Sequence, residues 1–457
     1  MSWDKEARFT VNIKRKLYAK LLHWKERSQG KSALLIEGAR RVGKTYLARE
    51  FAKQEYRSFL YIDFSRPNEI VRKIFLESSS DLDVFFGELS LIFGTELFPR
   101  ESCLVFDEVQ LFPEARQLVK HIVADGRYDV IETGSLIGIR HNVKDILIPS
   151  EEEHVELCPL DLEEFMWALG KSRLYDFLAE CFEKRKPIGE PLHREMIKLV
   201  RLYVLLGGMP QVVCSYAENK DLLAARQIQK NILTLYRDDI GKYAGGYDLK
   251  VRSIFDGIPS ALSSHEKRFK LASLEKNARM REYEEAFLWL SDSKIVNLCF
   301  NAEEPAFALE MSRDRTWLKC YLADTGLLVA LATEGGIDVA KEILQAILYK
   351  KLNINEGMFF ENLVAQMLRA KGHKLFFYVK PHPEYAMRKV EIDFLIRGGK
   401  KIMPIEAKSS VIRSHWSLDV FGEKFKKILS KPVVICTKEL AEKEGIFYLP
   451  IYMTPFL

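Results

Sequence analysis

Several features that mark whole classes of protein are missing from this 457-residue sequence. Its seven cysteines are odd in number, widely dispersed and never spaced as C-x-x-C, which argues against a disulfide framework and a zinc knuckle. No apolar run of about 18 residues occurs, and the sequence opens without the hydrophobic stretch of a signal peptide. We therefore expect a cytoplasmic protein with reduced thiols and no membrane partner.

A strong charge imbalance is missing as well. The formal net charge is only +5, which permits a nucleic-acid partner without arguing for one. The length is sufficient for about two to four domains, each with its own core. Residues 1–30 have the apolar spacing of a helical lead-in, and we expect its basic residues to solvate a helix face more than to approach a nucleotide.

The most informative stretch is a phosphate-binding loop pattern, G-x-x-x-x-G-K-[ST], at residues 38–45. An apolar run before it predicts a buried strand, and a helical pattern follows it. The glycines let backbone N–H groups point at phosphate oxygens, and the helix N-terminus adds partial positive charge. We expect Lys44 to reach the β- and γ-phosphates and Thr45 to bind Mg²⁺. The candidate nucleotide-binding residues are Gly38, Ala39, Arg40, Arg41, Val42, Gly43, Lys44, Thr45 and Tyr46.

A second motif is an apolar strand that ends in two acids. Residues 103–106 are apolar, and Asp107 and Glu108 follow them, as in the Walker B pattern. Asp107 is expected to orient the Mg²⁺ shell. Glu108 is expected to polarise the attacking water, as a general base or as a positioning group.

A third candidate follows another predicted strand, residues 128–132. In related ATPases a small hydroxyl at this place senses the γ-phosphate, so Thr133 or Ser135 could hydrogen-bond the attacking water. An ordinary glycine turn at Gly134 explains the same residues equally well.

Taken in chain order, these motifs and two later segments resemble one known family. The segments are residues 38–45, VFDEVQ at 105–110, TGS at 133–135, PLDLEEF at 159–165 and GGMP at 207–210. They resemble a large prokaryotic family of AAA-superfamily ATPases, in which a C-terminal domain of unknown function, similar to the restriction-endonuclease fold, is fused to the ATPase. The resemblance implies ATP and Mg²⁺ as cofactors.

The alternation of strands and helices to about residue 158 predicts a parallel sheet wrapped by helices. The resemblance extends this to an α/β multidomain protein with four parts. It implies an AAA-type P-loop core with its lead-in at 1–158, a helical lid at 159–245, a winged helix at 246–345 and a C-terminal α/β restriction-endonuclease-like domain at 346–457.

The sequence departs from the family at one point. Many members carry an arginine in the loop before the Pro-Leu segment, whereas residues 150–156 contain none. Arg140, Arg40 and Arg41 are weak substitutes for an arginine finger. Slow turnover is expected, because such a finger accelerates hydrolysis by several orders of magnitude.

Basic residues cluster in the predicted winged helix. They could lie along DNA phosphates, or they could form the solvated face of a module that binds protein, and the sequence leaves both open. The cations are Lys267, Arg268, Lys270, Lys276, Arg279 and Arg281.

The C-terminal segment carries the arrangement Glu361, Asp393 and Glu406-x-Lys408, which matches the restriction-endonuclease pattern. Glu406 and Lys408 share one face of a strand because side chains alternate with a period of two. Asp393 and Glu406 could hold Mg²⁺, Lys408 could orient a water, and Glu361 could complete the metal shell. The fold alone does not establish activity.

Three functions compete at this stage. The first is an ATP-dependent switch that acts on DNA or on a protein partner, and the missing arginine favours it. The second is an ATP-coupled nuclease that uses the C-terminal site. The third is a purely structural C-terminal domain that mediates assembly into an oligomer.

Overall fold

The computed structural model describes residues 13–66, 68–135, 151–264, 266–276, 278–306, 308–334, 356–381, 388–409 and 414–457. The first of two compact units comprises Lys14–Cys158 with Asp292–Lys294, and the second contains Pro159–Ser291 and Ile295–Leu457. Arg140, part of the predicted lead-in and parts of the predicted winged helix lie outside the described residues. No helix in the described ranges is long and apolar enough to span a bilayer.

The first unit is a parallel sheet covered by helices. The strand order is β2-β3-β4-β1-β5, and every neighbouring pair is parallel. Its described elements are α1 (Leu17–Ser28), β1 (Ala33–Glu37), α2 (Lys44–Glu55), β2 (Ser58–Asp63), α3 (Glu69–Glu77), α4 (Leu82–Phe93), β3 (Ser102–Asp107), α5 (Pro113–Asp125), β4 (Asp129–Gly134) and β5 (Glu152–Glu156).

This strand order determines where the motifs meet. Strand β4 lies between β1, which leads into the glycine-rich loop, and β3, which ends in the Walker B acid. All three strands run parallel, so their carboxyl ends lie at the same edge of the sheet. Three segments that are far apart in sequence therefore converge there, as ligand-binding segments do in open α/β sheets.

Strand β3 is buried along its whole length. All six residues of β3 are buried, and the strand packs within an aromatic-rich core. Phe64, Phe75, Phe106 and Phe112 contact one another with ring centroids 5.3–5.9 Å apart. Such pairs add about 0.5–1.5 kcal/mol each beyond the burial of their area.

The second unit is helical at first and then forms a mixed sheet. Its described helices are α6 (Leu162–Ala168), α7 (Ser172–Glu183), α8 (Glu190–Leu206), α9 (Pro210–Asn219), α10 (Leu222–Tyr243), α11 (Asp248–Ser263), α12 (Met280–Asp292), α13 (Thr325–Ala332), α14 (Glu356–Ala370) and α15 (Trp416–Phe425). Its described strands are β6 (Val296–Ala302), β7 (Arg313–Leu322), β8 (Leu375–Pro381), β9 (Lys389–Gly398), β10 (Lys401–Lys408), β11 (Val433–Cys436), β12 (Ala441–Lys443) and β13 (Ile446–Pro450).

These strands form one continuous sheet in the order β12-β13-β11-β10-β9-β8-β6-β7. Strands β6 and β7, which fall within the predicted winged helix, form an antiparallel hairpin. Strand β6 also pairs in parallel with β8, so the hairpin extends the C-terminal sheet. The α/β multidomain prediction is confirmed, with a parallel AAA-type sheet and a separate mixed sheet. The four domain boundaries stay predictions.

The Pro-Leu and Gly-Gly segments of the resemblance meet inside the second unit. The backbone N–H of Leu160 donates to the carbonyl of Gly208 at 2.7 Å, and the Tyr203 hydroxyl donates to the carbonyl of Leu160 at 2.5 Å. The buried Asp324 carboxylate accepts from the N–H of Gly208 at 2.5 Å and from the N–H of Leu327 at 2.9 Å. The Pro-Leu and Gly-Gly segments therefore pack against each other and are joined by backbone hydrogen bonds.

We predict that Gly208→Ala destabilises the second unit by about 3 kcal/mol, because a new methyl group would overpack a closed site. A Cβ at this position would lie 2.1 Å from the Leu160 carbonyl oxygen, and a backbone atom cannot turn aside as a side chain can. Urea unfolding measures the change.

The matched control is Gly241→Ala, since Gly241 lies on α10 and a Cβ added there would have no neighbouring atom within 4 Å. We expect that change to be neutral or to stabilise by up to about 1 kcal/mol. Equal stability of Gly208→Ala and the unmodified protein would show that the Leu160 backbone can retreat.

Candidate functional site

The glycine-rich loop wraps its own lysine. Lys44 is the first residue of α2 and its side chain is buried, with Nζ donating to the carbonyls of Gly38 and Ala39 at 3.0 Å each. Gly43 has φ +94°, a left-handed conformation that glycine adopts without strain. At Gly38 a Cβ would lie 2.4 Å from the Leu157 carbonyl oxygen, so only glycine fits there.

The remaining residues of the loop differ in how far their side chains are exposed to solvent. Ala39 and Val42 are buried beneath the loop, whereas Arg41 is exposed and Arg40 is half-buried. Tyr46, on the first turn of α2, is 47% exposed. Arg41 and Tyr46 are therefore the residues of this segment that face solvent.

The Asp107 carboxylate is the centre of the site. The Thr45 hydroxyl donates to Oδ1 of Asp107 at 2.9 Å, and the Tyr61 hydroxyl donates to Oδ2 at 2.8 Å. Thr133 also donates its hydroxyl to Oδ1. Burial raises the pKa of Asp107, and the hydrogen bonds from Thr133, Tyr61 and Thr45 oppose that rise.

Oxygen atoms of this kind fit Mg²⁺. The structure brings together Thr45 and Asp107, the two residues predicted to act on the Mg²⁺ of the nucleotide. Mg²⁺ commonly uses one or two carboxylates and keeps several waters, so a large protein cage is not needed. Within the described ranges no group of three or more His, Cys, Asp and Glu side chains is arranged to hold a metal.

Glu108 takes its orientation from different partners. It has φ +54°, and its Oε2 accepts from the Ser135 hydroxyl at 3.1 Å and from the Gln110 amide at 2.6 Å. The sequence left Thr133 and Ser135 as alternatives. In the structure the Thr133 hydroxyl donates to the Asp107 carboxylate and accepts from the backbone N–H of Glu108 at 3.5 Å, whereas the Ser135 hydroxyl donates to the Glu108 carboxylate.

A second charged cluster lies in the other unit, around the predicted C-terminal site. Glu361 on α14 is buried and accepts from the ammonium of Lys319 at 3.1 Å. The Tyr321 hydroxyl and the ammonium of Lys267 also donate to Glu361. Lys319 therefore occupies a central position that the sequence pattern did not assign to it.

The predicted pair Asp393 and Glu406 lies on the neighbouring strands β9 and β10. Oδ2 of Asp393 accepts from the backbone N–H of Ala407 at 2.9 Å, and the Lys408 ammonium lies 3.8 Å from Glu406 Oε2. That oxygen of Glu406 is buried without a hydrogen-bond partner among the described residues. The metal-binding role of Glu361, Asp393 and Glu406 stays a prediction.

Three segments of the chain match protein-family models. Residues 30–166 match the model of the AAA domain. The chain contains an AAA-type P-loop domain. Residues 197–338 match a domain of unknown function (DUF8612), and residues 356–453 match another (DUF4143). The predicted resemblance to AAA ATPases is thus confirmed for the AAA domain, and no curated protein matches the chain.

Several solved structures share distant similarity. The Orc1 protein of Aeropyrum pernix, solved in complex with DNA, is 13% identical with a TM-score of 0.29, and the match covers 73% of this chain and 96% of that one. Cdc6p of Pyrobaculum aerophilum is 12% identical with a TM-score of 0.30, covering 75% and 97%. A signal-transduction ATPase with numerous domains from Pyrococcus horikoshii is 12% identical with a TM-score of 0.28, covering 81% of this chain but only 47% of its own. Similarity at this level assigns no function.

Arg15 is a residue of the first unit whose contact the sequence did not predict. Its buried guanidinium donates to the carbonyl of Val42 at 2.8 Å and to the carbonyl of Cys158 at 2.6 Å. We expected the basic residues of the lead-in to solvate a helix face, and for Arg15 this expectation is wrong. Its isolated position before α1 offered no motif from which the contact could be found.

Tyr61 was also missed. It was part of an apolar strand pattern, yet its hydroxyl reaches Asp107 from β2. Strand β2 is the direct neighbour of β3, and Asp63 is paired with Asp107 in register. The contact follows from strand pairing, which the local sequence does not reveal.

We predict that Glu406→Gln stabilises the second unit above neutral pH. Burial raises the pKa of Glu406 from 4.5 to about 7. The contribution of Glu406 to stability is therefore greatest below pH 4.5, is lost as pH rises from 4.5 through 7 and then levels off, since the folded protein must hold a buried charge. The neutral amide avoids this loss, which amounts to about 3 kcal/mol at pH 8.

Urea unfolding between pH 5 and pH 8 tests this prediction, and the advantage of the variant should shrink to about 1 kcal/mol at pH 5. Glu423→Gln, an exposed glutamate on α15, is the control and should be neutral at both pH values. A pH-independent effect of Glu406→Gln would contradict the burial argument.

Proposed function

We propose that the AAA domain binds ATP with Mg²⁺ and hydrolyses it, and that the nucleotide state acts as a switch on a DNA or protein partner. The observation that carries this proposal is the convergence of Lys44, Thr45, Asp107 and Glu108 at one edge of the sheet. A phosphate chain in the loop would meet the α2 N-terminus and the Lys44 ammonium together.

Each residue has a distinct task in this proposal. Thr45 and Asp107 would hold the Mg²⁺, which neutralises negative charge on the phosphates when it is bound. Glu108 would accept a proton from, or orient, the attacking water, while Ser135 and Gln110 hold its carboxylate in place. Thr133 and Tyr61 would keep Asp107 aimed at the metal by donating to its oxygens.

The switch is favoured over rapid turnover by the residues around the loop. Residues 151–156 contain acids and one histidine but no arginine, so no arginine finger comes from this described segment. We place this activity in the cytoplasm, and all seven cysteines are free thiols, as a reducing compartment would require. Assembly into an oligomer is part of the proposal only as a route to an arginine supplied by another copy.

DNA is one candidate partner of the switch, through the basic stretch of the second unit. Lys276, Arg279 and Arg281 are exposed and could lie along phosphates. Lys267 is not available for this role because it pairs with Glu361. A protein partner on the same surface is the other candidate. Salt-dependent binding of duplex DNA in the presence of ATP but not of ADP would favour DNA as the partner.

The nuclease remains a second candidate because Asp393, Glu406 and Lys408 lie on neighbouring strands in the predicted arrangement. It would require a metal at these carboxylates. Cleavage of a plasmid in Mg²⁺ or Mn²⁺ that is lost in Asp393→Ala would support it.

We predict that Glu108→Gln leaves ATP binding intact and lowers the rate of phosphate release by at least about 100-fold, because the amide cannot accept a proton. Lys44→Ala should instead abolish binding. A fluorescent ATP analogue measures binding, and an assay of released phosphate measures hydrolysis. Glu114→Gln, an exposed glutamate on α5, is the matched control. Hydrolysis by Glu108→Gln at the unmodified rate would contradict the assignment.

We predict that Arg15→Gln weakens ATP binding by about tenfold or more, since two hydrogen bonds from a charged group to the loop and its surroundings are lost. The expected change lies in KM and in the affinity for the analogue, while kcat is largely retained because Arg15 does not approach Glu108 through any described contact. Arg15→Lys should recover part of the affinity. A loss confined to kcat would refute this positioning role.

A further inference from the structure

The cluster around Lys319 is independent of the nucleotide site and lies wholly in the second unit. The Lys319 side chain, on β7, is fully buried. Its ammonium lies 3.1 Å from Glu361 on α14, and 3.3 Å from Glu391 and 3.8 Å from Asp393 on β9. One cation thus contacts carboxylates from two elements.

We infer that the Lys319 ammonium is an internal cation that takes the position a divalent metal would occupy among Glu361, Glu391 and Asp393. An ammonium has three N–H donors and can serve several carboxylates at once. Buried carboxylates need such a partner, since an unpaired charge in the interior is strongly unfavourable.

Two further contacts of the Glu361 carboxylate help to compensate its negative charge. Lys267 donates to the second oxygen of Glu361, and the Tyr321 hydroxyl donates to the first. Three carboxylates therefore face two ammonium groups. Glu361 is the most enclosed of the three acids, since its side chain is 1% exposed, against 15% for Asp393 and 32% for Glu391.

The protonation states agree with this geometry. Burial by itself lowers the pKa of Lys319, but the carboxylates of Glu361, Asp393 and Glu391 outweigh it and raise the pKa above the ordinary value. Burial raises the pKa of Glu361, whereas Lys319 and Lys267 lower it to about 2. Both shifts have the direction that the short distances within the cluster predict.

A divalent metal does not fit among Glu361, Glu391 and Asp393 while Lys319 is present, and this counts against the nuclease as the second candidate function. Mg²⁺ and Ca²⁺ take oxygen ligands at about 2.0–2.6 Å, so an ion on these carboxylates would lie within a few ångströms of the buried ammonium. Like charges at that separation repel strongly in a medium of low dielectric constant. The sequence motif predicts a metal at Glu361, Asp393 and Glu406, whereas at Glu361 and Asp393 the fold supplies a lysine.

The test compares metal binding by full-length variants without nucleotide, in an Asp107→Asn background that removes the Walker B carboxylate. Mn²⁺ binding is measured by electron paramagnetic resonance, and thermal unfolding is measured with and without Mn²⁺. The background protein should bind no Mn²⁺ at the C-terminal carboxylates. Added Lys319→Met should create one Mn²⁺ site and show a rise in Tm on the order of 5 °C at saturating Mn²⁺.

Lys267→Met is the matched control, because it removes a cation from Glu361 but leaves Lys319 at the centre. It should gain no Mn²⁺ site. Folded Lys319→Met that takes up no Mn²⁺ would overturn the inference.

Should Lys319→Met fail to fold, the background protein is compared with a variant that also carries Asp393→Asn. Unchanged Mn²⁺ stoichiometry on adding Asp393→Asn supports the internal cation, whereas loss of one bound Mn²⁺ overturns it. Because the Walker B carboxylate is absent throughout, neither result depends on whether the AAA domain hydrolyses ATP.

Discussion

The hydrogen bonding of the buried Asp107 carboxylate is the constraint on which the AAA domain's site depends. Its three hydroxyl partners come from the start of α2, from β2 and from the end of β4. These elements meet because β4 lies between β1 and β3 and because β2 pairs with β3 in register. A change in strand order would separate the loop from the acid, whatever the two motifs contained.

The two units satisfy buried acids in different ways. Around Asp107 the partners named here are hydroxyl groups, which provide hydrogen bonds but no full positive charge. Around Glu361 the partners include two ammonium groups, which provide both. A carboxylate of the first kind retains its attraction for a cation, whereas one of the second kind is already compensated. The chemistry of an acid within a motif thus depends on its neighbours in space more than on the motif.

The residues that could be chosen from sequence are those whose function depends on local spacing. Lys44, Thr45 and Asp107 belong to short patterns in which a strand, a loop and a helix follow one another directly, and the family match at residues 30–166 agrees with them. Arg15 and Tyr61 belong to no such pattern. Their contacts with Val42 and Asp107 arise from packing between elements. In the sequence, Arg15 cannot be distinguished from other arginines of a helix lead-in, nor Tyr61 from other tyrosines of a strand.

The sequence by itself determined the phosphate-binding loop, the Walker B strand and the alternation of strands and helices, because each is encoded in neighbouring residues. Only the tertiary structure decided that the β6–β7 hairpin joins the C-terminal sheet and so carries Lys319 to Glu361 and Asp393. The physical reason is that strand pairing satisfies backbone hydrogen bonds that every residue offers alike. Side-chain patterns reveal that a segment is a strand, whereas its partner is selected by the packing of the whole unit.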